Sequence, residues 1–448
     1  MSKAGWKLIL PIIALNLYQT IFVEHPQWSG ITFMSICLEP PAGEQLIKET
    51  PQFPPLHRNG DFWRLWGGQV LSSVGSQVSG LALPLLILAL THSAAKAGLL
   101  AALRGLPYAL LCLPAGALVD RWDPRRVMLL CDTGRALALG SVPLALAFGH
   151  LHLAQLYWVT LIEGTLFVFF NQAESNCLVR VVSKEQLPDA VARNEAVYGV
   201  SGLIGPSLGG ILYGLGRGVP FLTDAISYAL SVAALLTLKT DVRPLPSAEK
   251  PHLGREIGEG LRWLRAHPII RFVALLTGVL MASCAGWTLL LIVLAQRFGA
   301  GPPAIGLLLA TGGVGSLVGS ALVPVLQKRL RFGPLLIGAA WVWALTWLFY
   351  ALAPSLVWLG IGNALSFIVV PIYLGVQYAY RLGEIPDGLQ GRVNSVFRLI
   401  AFGSGPLGLA LTGLLIQRIG PVETVLVTTV PQLVLCVLAT LHKSLRAA

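Results

Sequence analysis

The sequence predicts an all-α membrane protein in which twelve transmembrane helices form two pseudo-symmetric six-helix bundles. Composition is the first reason. Of 448 residues, 55% are hydrophobic and only 12% charged, and apolar stretches of about 20 residues, each long enough for a helical span, recur to the end of the chain. The second is the loop from Gly116 through Asp120, Arg121, Asp123, Arg125 and Arg126, which joins two such stretches. Lipid cannot hydrogen-bond that many charges, so the loop must lie outside the hydrocarbon. The third is a long-period echo. Asn194 ahead of Gly205-Pro206 is matched by Asn394 ahead of Gly405-Pro406, and Pro188-Asp189 by Pro386-Asp387. Such a repeat points to duplicated bundles with a binding site at their interface.

The spans fall near 63–90, 96–119, 127–149, 153–181, 190–215, 219–239, 269–297, 303–326, 333–353, 355–381, 392–417 and 421–441. Loops on one side hold Arg121, Arg125, Arg126, Lys184, Lys239, Arg243, Lys250, Arg255, Arg262, Arg265, Lys328, Arg329, Arg331, Arg381, Lys443 and Arg446, whereas the other side holds little beyond Lys96, Arg217, Arg297 and Arg418. The positive-inside bias puts the first side, with both ends of the twelve-helix core, in the cytoplasm. The expected location is the plasma membrane, or the inner membrane of a Gram-negative cell. A formal charge of +11 could suggest nucleic acid, but the cations form no single patch or stripe, and alternate basic loops suit anionic lipid headgroups better.

Residues 61–239 read as the first bundle and 269–443 as the second. Between them, 240–268 reads as a cytoplasmic linker. Leu253, Ile257, Leu261 and Leu264 recur there at helical spacing opposite charges, which gives a short amphipathic helix in the membrane interface. A solvated linker is the alternative, since Gly254, Gly258 and Gly260 weaken a helix. Residues 1–60 read as an N-terminal extension outside the core, with a cleaved signal or an extra helix over 6–23 as the alternatives. Lys3 and Lys7 precede an apolar run like a signal-peptide core, yet no small-x-small cleavage site follows, and Pro40–Pro55 reads as linker. The six cysteines contain no Cys-x-x-Cys pair and, except Cys37, fall in spans. They read as packing residues, so no metal site, disulfide framework or cofactor is expected.

The fourth span carries the sharpest binding pattern. At about 100° per residue, Glu163, Phe167, Phe170 and Glu174 share one narrow stripe, with Asn171 beside it. An acid at membrane depth is costly and usually faces a wet cavity or a partner. Two acids with two aromatic faces suit an amphipathic cation, and Glu163 and Glu174 are the residues expected to carry a proton in exchange. For Glu174 the alternative is a pairing with Arg180 or a loop arginine. Asp132 and Arg135, three apart on one helix, can pair locally. Arg104 is expected to meet an acid from another span. Gln69, Ser72, Ser73 and Ser76 give the first span a wet face, as Asn363 and Gln377 do more sparsely on the tenth.

The charged loop, the Gly-Pro helix and the six-plus-six layout resemble the major facilitator superfamily. Within it, the chain is most similar to the drug and siderophore exporter branch, which includes enterobactin exporters and macrolide efflux proteins. Phe62-Trp63-Arg64-Leu65-Trp66 with Gln69, Ser72, Gly75 and Gln77 resembles that branch's first helix. Leu106-Pro107-Tyr108, Asp132-x-x-Arg135 and Phe221-Leu222-x-Asp224-Ala225-x-Ser227 resemble its later signatures. The resemblance covers roughly 61–443. One departure is Asp123, where the superfamily usually has glycine; aspartate tolerates a left-handed backbone better than most residues.

The resemblance implies a gate built from Gly116, Asp120, Arg121, Arg126, Asp132 and Arg135. In it the loop latches the halves together when the transporter faces outward, with Asp120 near a helix N-terminus of the second half. A plain positive-inside loop would need the arginines alone. Gly205, Pro206 and Gly209, echoed by Gly405 and Pro406, resemble the bent and closely packed segment of the superfamily's antiporters; ordinary packing is the alternative. Because the first, fourth, seventh and tenth helices line the cavity in this superfamily, Gln69, Ser72, Ser76, Asn363 and Gln377 become second-rank binding residues.

The resulting expectation is a secondary active transporter, not an enzyme, that exports amphipathic small molecules of drug or siderophore type. It would be a monomer driven by protons, rocking two bundles around a central site amid membrane lipids. No phosphate-cradling Gly-x-x-x-x-Gly-Lys-Ser/Thr loop is present, so direct ATP use is not expected. An importer or lipid flippase of the same fold is the nearest rival. A membrane enzyme would need converging nucleophile, base or metal ligands at membrane depth, and a non-transporting receptor would tolerate neutralisation of the acidic stripe.

Overall fold

The structure, a computed structural model, describes residues 54–240 and 253–447. Expectations for the extension before residue 54 and for the linker segment 241–252 lie outside the described residues. Every regular element among the described residues is helical, one of the two ways, with a closed barrel, in which a chain satisfies its backbone hydrogen bonds within lipid. The first six spans are Gly60–Thr91, Ala94–Val119, Pro124–Ala147, Leu153–Val181, Leu187–Leu215 and Val219–Leu236. The last six are Pro268–Arg297, Pro302–Arg329, Phe332–Leu352, Leu356–Glu384, Gln390–Ile419 and Pro421–Leu441.

Local chemistry fixes where these helices start. The Asn59 Oδ1 accepts from the Phe62 N–H at 3.1 Å, and the Ser93 Oγ from the Lys96 N–H at 3.3 Å. Prolines stand in the first turn of the third, fifth, sixth, seventh, eighth and twelfth spans, where a missing N–H costs nothing. Asp123 is a capping residue with φ −68°, accepting from the Arg125 N–H at 3.0 Å. The left-handed turn expected at that position is therefore absent, and aspartate replaces glycine by capping the third span.

Packing repeats between the halves. In the first, span one lies on five and six, span two on four, and span three on four and six. In the second, span seven lies on eleven and twelve, span eight on ten, and span nine on ten and twelve. The halves meet through span two on span eleven and span five on span eight, an exchange that preserves the same symmetry. These joints are tight at the end of the bundle away from the 116–126 loop. A Cβ on Gly98 would lie 2.7 Å from the Gly413 Cα, and one on Gly210 would lie 2.3 Å from the Pro302 carbonyl oxygen. Only glycine permits that approach. The Ala94 N–H also donates to the Gln417 Oε1 at 2.9 Å across the same seam.

The halves differ in continuity. Span five runs unbroken through Gly205-Pro206. Span eleven is divided into Gln390–Phe402 and Gly405–Ile419, just ahead of Pro406, and the Ser404 Oγ donates to the Gly278 carbonyl of span seven at 3.0 Å. Span seven is itself divided into Pro268–Cys284 and Trp287–Arg297. The outer surface is apolar, with side chains such as Leu130, Leu137, Phe148 and Leu215 more than 70% exposed, as acyl chains rather than water require. The amphipathic helix forms at Leu253–Ala266. It packs against the start of span eleven, with Leu264 buried and Glu259 ion-paired to Arg255 and Arg392.

Candidate functional site

The site is built on span four. Glu163 points to the centre of the first half, its side chain 4% exposed. From span two the Arg104 Nε donates to its Oε2 at 2.8 Å and Nη2 to its Oε1 at 3.3 Å, a two-pronged fork. From span three the Arg135 Nη2 donates to the same Oε1 at 3.5 Å. Arg135 also pairs with Asp132 one turn back at 3.4 Å, the local pair expected from the spacing. Its guanidinium lies 4.0 Å from the Tyr228 ring centroid and donates to the Tyr228 hydroxyl. That hydroxyl exchanges a 2.7 Å hydrogen bond with the Ser76 Oγ, so spans one, three, four and six share one network. Burying charges is costly, and what makes it tolerable here is mutual pairing of acids and arginines, although the Asp132 Oδ2 and the Arg135 Nε are buried without a hydrogen-bond partner among the described residues.

The network forms one wall of a cavity of about 480 Å³ between the halves. Gln69, Ser72, Ser76, Glu163, Phe167, Phe170 and Asn171, all expected at the site, line it. Arg104, Gln77, Tyr108 and Tyr198 join them from the first half, and Thr288, Leu289 and Leu409 from the second. The Tyr198 hydroxyl accepts from the Gln69 Nε2 at 2.8 Å. Tyr108 belongs to a quoted motif, but Tyr198 and Thr288 carry no periodic or charge signal that singles them out.

Other expected site residues sit elsewhere. Glu174 is buried one turn beyond Phe170 on span four, outside the cavity lining, where it accepts from the Asn194 Nδ2 at 3.0 Å. Among the described residues no ion pair joins it to an arginine or lysine. Asn363 does not line the cavity: its Nδ2 donates to the Leu308 carbonyl at 3.1 Å and to the Thr311 hydroxyl at 3.1 Å, tying span ten to span eight. Gln377 is likewise buried away from the cavity. Asp224, of the quoted motif on span six, is fully buried near the start of its helix and accepts from Ser227 at 3.2 Å.

Among the described residues, none of the gate residues of the loop is bonded to the second half. The Asp120 Oδ1 accepts from the Asn176 Nδ2 of span four at 2.9 Å instead of approaching a helix of the second half. Arg126 pairs with Asp123 at 3.4 Å, Arg121 is exposed, and Gly116 has no closer neighbour to its would-be Cβ than the Gln172 Oε1 at 3.9 Å. Arg125 donates to the carbonyls of Leu235 and Leu236 at 3.0 and 2.7 Å, closing the end of span six. Gly205 and Gly209 let span five lie against span one, where their Cβ atoms would meet Gln77 at 2.3 Å and the Val78 carbonyl at 3.0 Å. Gly405 has open space around it, and Pro406 faces Gly105 of span two.

The geometry also changes the reading of the acidic stripe. Glu163 does not present a bare carboxylate to a cation, because two arginines enclose it. Of the charged residues on the cavity wall, two are cations and one is an acid.

Comparisons with known proteins agree with this architecture. The family model described as transmembrane secretion effector matches residues 50–448. The chain is 27% identical over 398 residues to the multidrug efflux pump Tap of Mycolicibacterium fortuitum, covering 84% of this chain and 94% of that one. It is 25% identical over 355 residues to the enterobactin exporter EntS of Escherichia coli, covering 79% and 85%. Among solved structures, a bacterial homologue of the human lysosomal transporter Spinster, inward-facing and occupied, superposes with a TM-score of 0.70 at 16% identity over 88% of this chain and 97% of that chain. The twelve apolar helices, the paired-bundle packing and the family match make this chain an integral multi-pass membrane protein, a member of the transmembrane secretion effector family within the major facilitator superfamily.

Proposed function

We propose that this chain is a proton-coupled exporter of amphipathic small molecules, of the drug or siderophore type, working as a monomer by alternating access. The carrying observation is the cavity between the halves: aromatic and polar on its walls, ionised at membrane depth, and sealed at one end by glycine-on-glycine contacts. The basic-loop end is cytoplasmic by its charge, in the plasma membrane or the inner membrane of a Gram-negative cell. With the opposite end sealed and the 116–126 loop released from the second half, this conformation faces the cytoplasm. Export then requires the halves, 61–239 and 269–443, to rock until the Gly98 and Gly210 seams part and Asp120 swings to the second half.

The proton has two candidate seats on span four. Glu163 is compensated by two arginines. Glu174 is buried with a single neutral donor, and a buried carboxyl without a cation is most cheaply accommodated with its proton on. We assign proton transfer to Glu174, and the positioning of Arg104 and Arg135 to Glu163. The test is uptake of an amphipathic dye into inverted vesicles energised by a proton gradient. Wild type should accumulate dye and lose it when the gradient is collapsed, whereas Glu174→Gln should bind dye without accumulating it. Accumulation that persists without the gradient would remove proton coupling, and normal accumulation by Glu174→Gln would remove that assignment.

A further inference from the structure

We infer that the cavity selects solutes bearing an acidic or strongly hydrogen-bond-accepting group on a flat apolar body, and that Arg104 is the residue that makes the selection. This rests on the export reading above and names its substrate class. Three observations carry it. First, the charged groups of the wall are not equally accessible: the Arg104 side chain is 32% exposed, against 4% for Glu163 and 3% for Arg135. The charge a solute meets is therefore positive. Second, Arg104 spends Nε and Nη2 on Glu163. Its Nη1 lies toward span one, where the Cβ a residue other than glycine would place at position 80 sits 3.0 Å away. No hydrogen bond engages Nη1 among the described residues, so a planar guanidinium edge remains open to a carboxylate or phenolate. Third, the surrounding faces are aromatic: Phe167, Tyr108 and Tyr198 line the same cavity, suited to stacking a flat ring system.

The partition of roles follows. Glu163 holds Arg104 in place and competes with the solute for its donors. Weakening that competition should tighten binding of an acid, the opposite of what a cation site on Glu163 would do.

The experiment uses the purified full-length chain in nanodiscs and two fluorescent probes on one xanthene frame, fluorescein as the acid and rhodamine methyl ester as the cation, with binding read by anisotropy. Wild type should bind fluorescein about tenfold more tightly than the rhodamine ester, the scale of one charge-assisted fork. Arg104→Gln should erase that preference. Arg104→Lys, which keeps the charge and so protects the fold, should lose part of it. Glu163→Gln should tighten fluorescein binding several-fold, by the same competition argument. If Arg104→Gln fails to fold, Arg104→Lys and the wild-type ratio decide. Equal or reversed preference in wild type, or a preference untouched in both Arg104 variants, would overturn the inference while leaving export intact. Binding of neither probe would overturn it together with the export reading.

Discussion

The two halves of this molecule share a packing plan and divide the labour. In the first, Arg104, Asp132, Arg135, Glu163, Glu174 and Asp224 place ionisable groups at membrane depth, and all six spans are continuous helices. In the second, the buried polar residues of the spans are mostly neutral, Thr277, Asn363, Thr412, Thr428 and Gln432 among them, and spans seven and eleven are each broken. The duplicated architecture is specialised: one half carries the ionised network on continuous helices, and the other, Arg381 apart, buries neutral polar groups and has two joints. Each joint rests on a helical stretch of the other broken span, since Ser404 in one break bonds Gly278 and a Cβ on Gly286 in the other would collide with Thr412 at 2.3 Å. Backbone freed from regular helix is tolerated in a membrane only where protein or a cavity receives it, and here the neighbouring broken span receives it.

Removing Arg135 is the most severe way to break the contrast. Arg135→Met strips the partner from Asp132 and a donor from both Glu163 and Tyr228, and should cost about 3–5 kcal/mol of stability, the scale for stranding one member of a buried ion pair. In the neutral half, Asn363→Leu removes hydrogen bonds but no charge and should cost about 1–3 kcal/mol. Thermal unfolding in a single detergent measures both. If the two costs were equal, the ionised wall would carry no special structural weight.

The Gly-Pro repeat gives a sharper contrast at matched positions. Gly205→Ala drives a Cβ to 2.3 Å from Gln77 and should displace span five, with loss of most transport; Gly405→Ala meets open space and should change little. The comparison is read from dye flux per folded molecule, and similar losses at both sites would mean that bending, not packing, is what the motif supplies. Asp120→Asn tests the gate. The protein should reach the membrane in normal amount, keep the present conformation, in which Asp120 accepts from Asn176, and transport almost nothing because the outward-facing state is no longer latched. Normal flux would remove the latch. The smallest effect is expected from Arg125→Lys, which loses the fork on the Leu235 and Leu236 carbonyls and should lower stability by about 1 kcal/mol without changing dye selectivity.

Much of this was legible in the chain itself, for reasons that differ by feature. Span positions follow from apolar run length, and structure and sequence agree within a few residues, because lipid imposes one solution on such runs. The charged cluster was partly legible: the Asp132–Arg135 spacing dictates a local pair, and Arg104, isolated in an apolar helix, had to find an acid. That the acid would be Glu163, and that a cation site would thereby be closed, depends on how spans two and four are rotated, which no single-helix pattern contains. The same limit explains Asn363 and Gln377. Asn363 turns to span eight and Gln377 is buried outside the cavity lining. The break in span eleven carried a Gly-Pro signal identical to the unbroken span five, so the deciding factor is tertiary: Gly205 is clamped against Gln77 and Gly405 is not.

Alternating access between an ionised wall and a jointed one is tested most directly by distances at the two ends. Spin labels at exposed Lys96 and Arg418 report the glycine-sealed end, and labels at exposed Lys184 and Gln327 report the basic end. The conformation described here buries Glu174 without a cation, so acid should favour it and alkali the alternative. Raising the pH should lengthen the first distance and shorten the second together, and Glu174→Gln should hold the molecule in its present form at every pH. Distances that ignore pH, that move in the same direction, or that respond in Glu174→Gln as in wild type would contradict the mechanism.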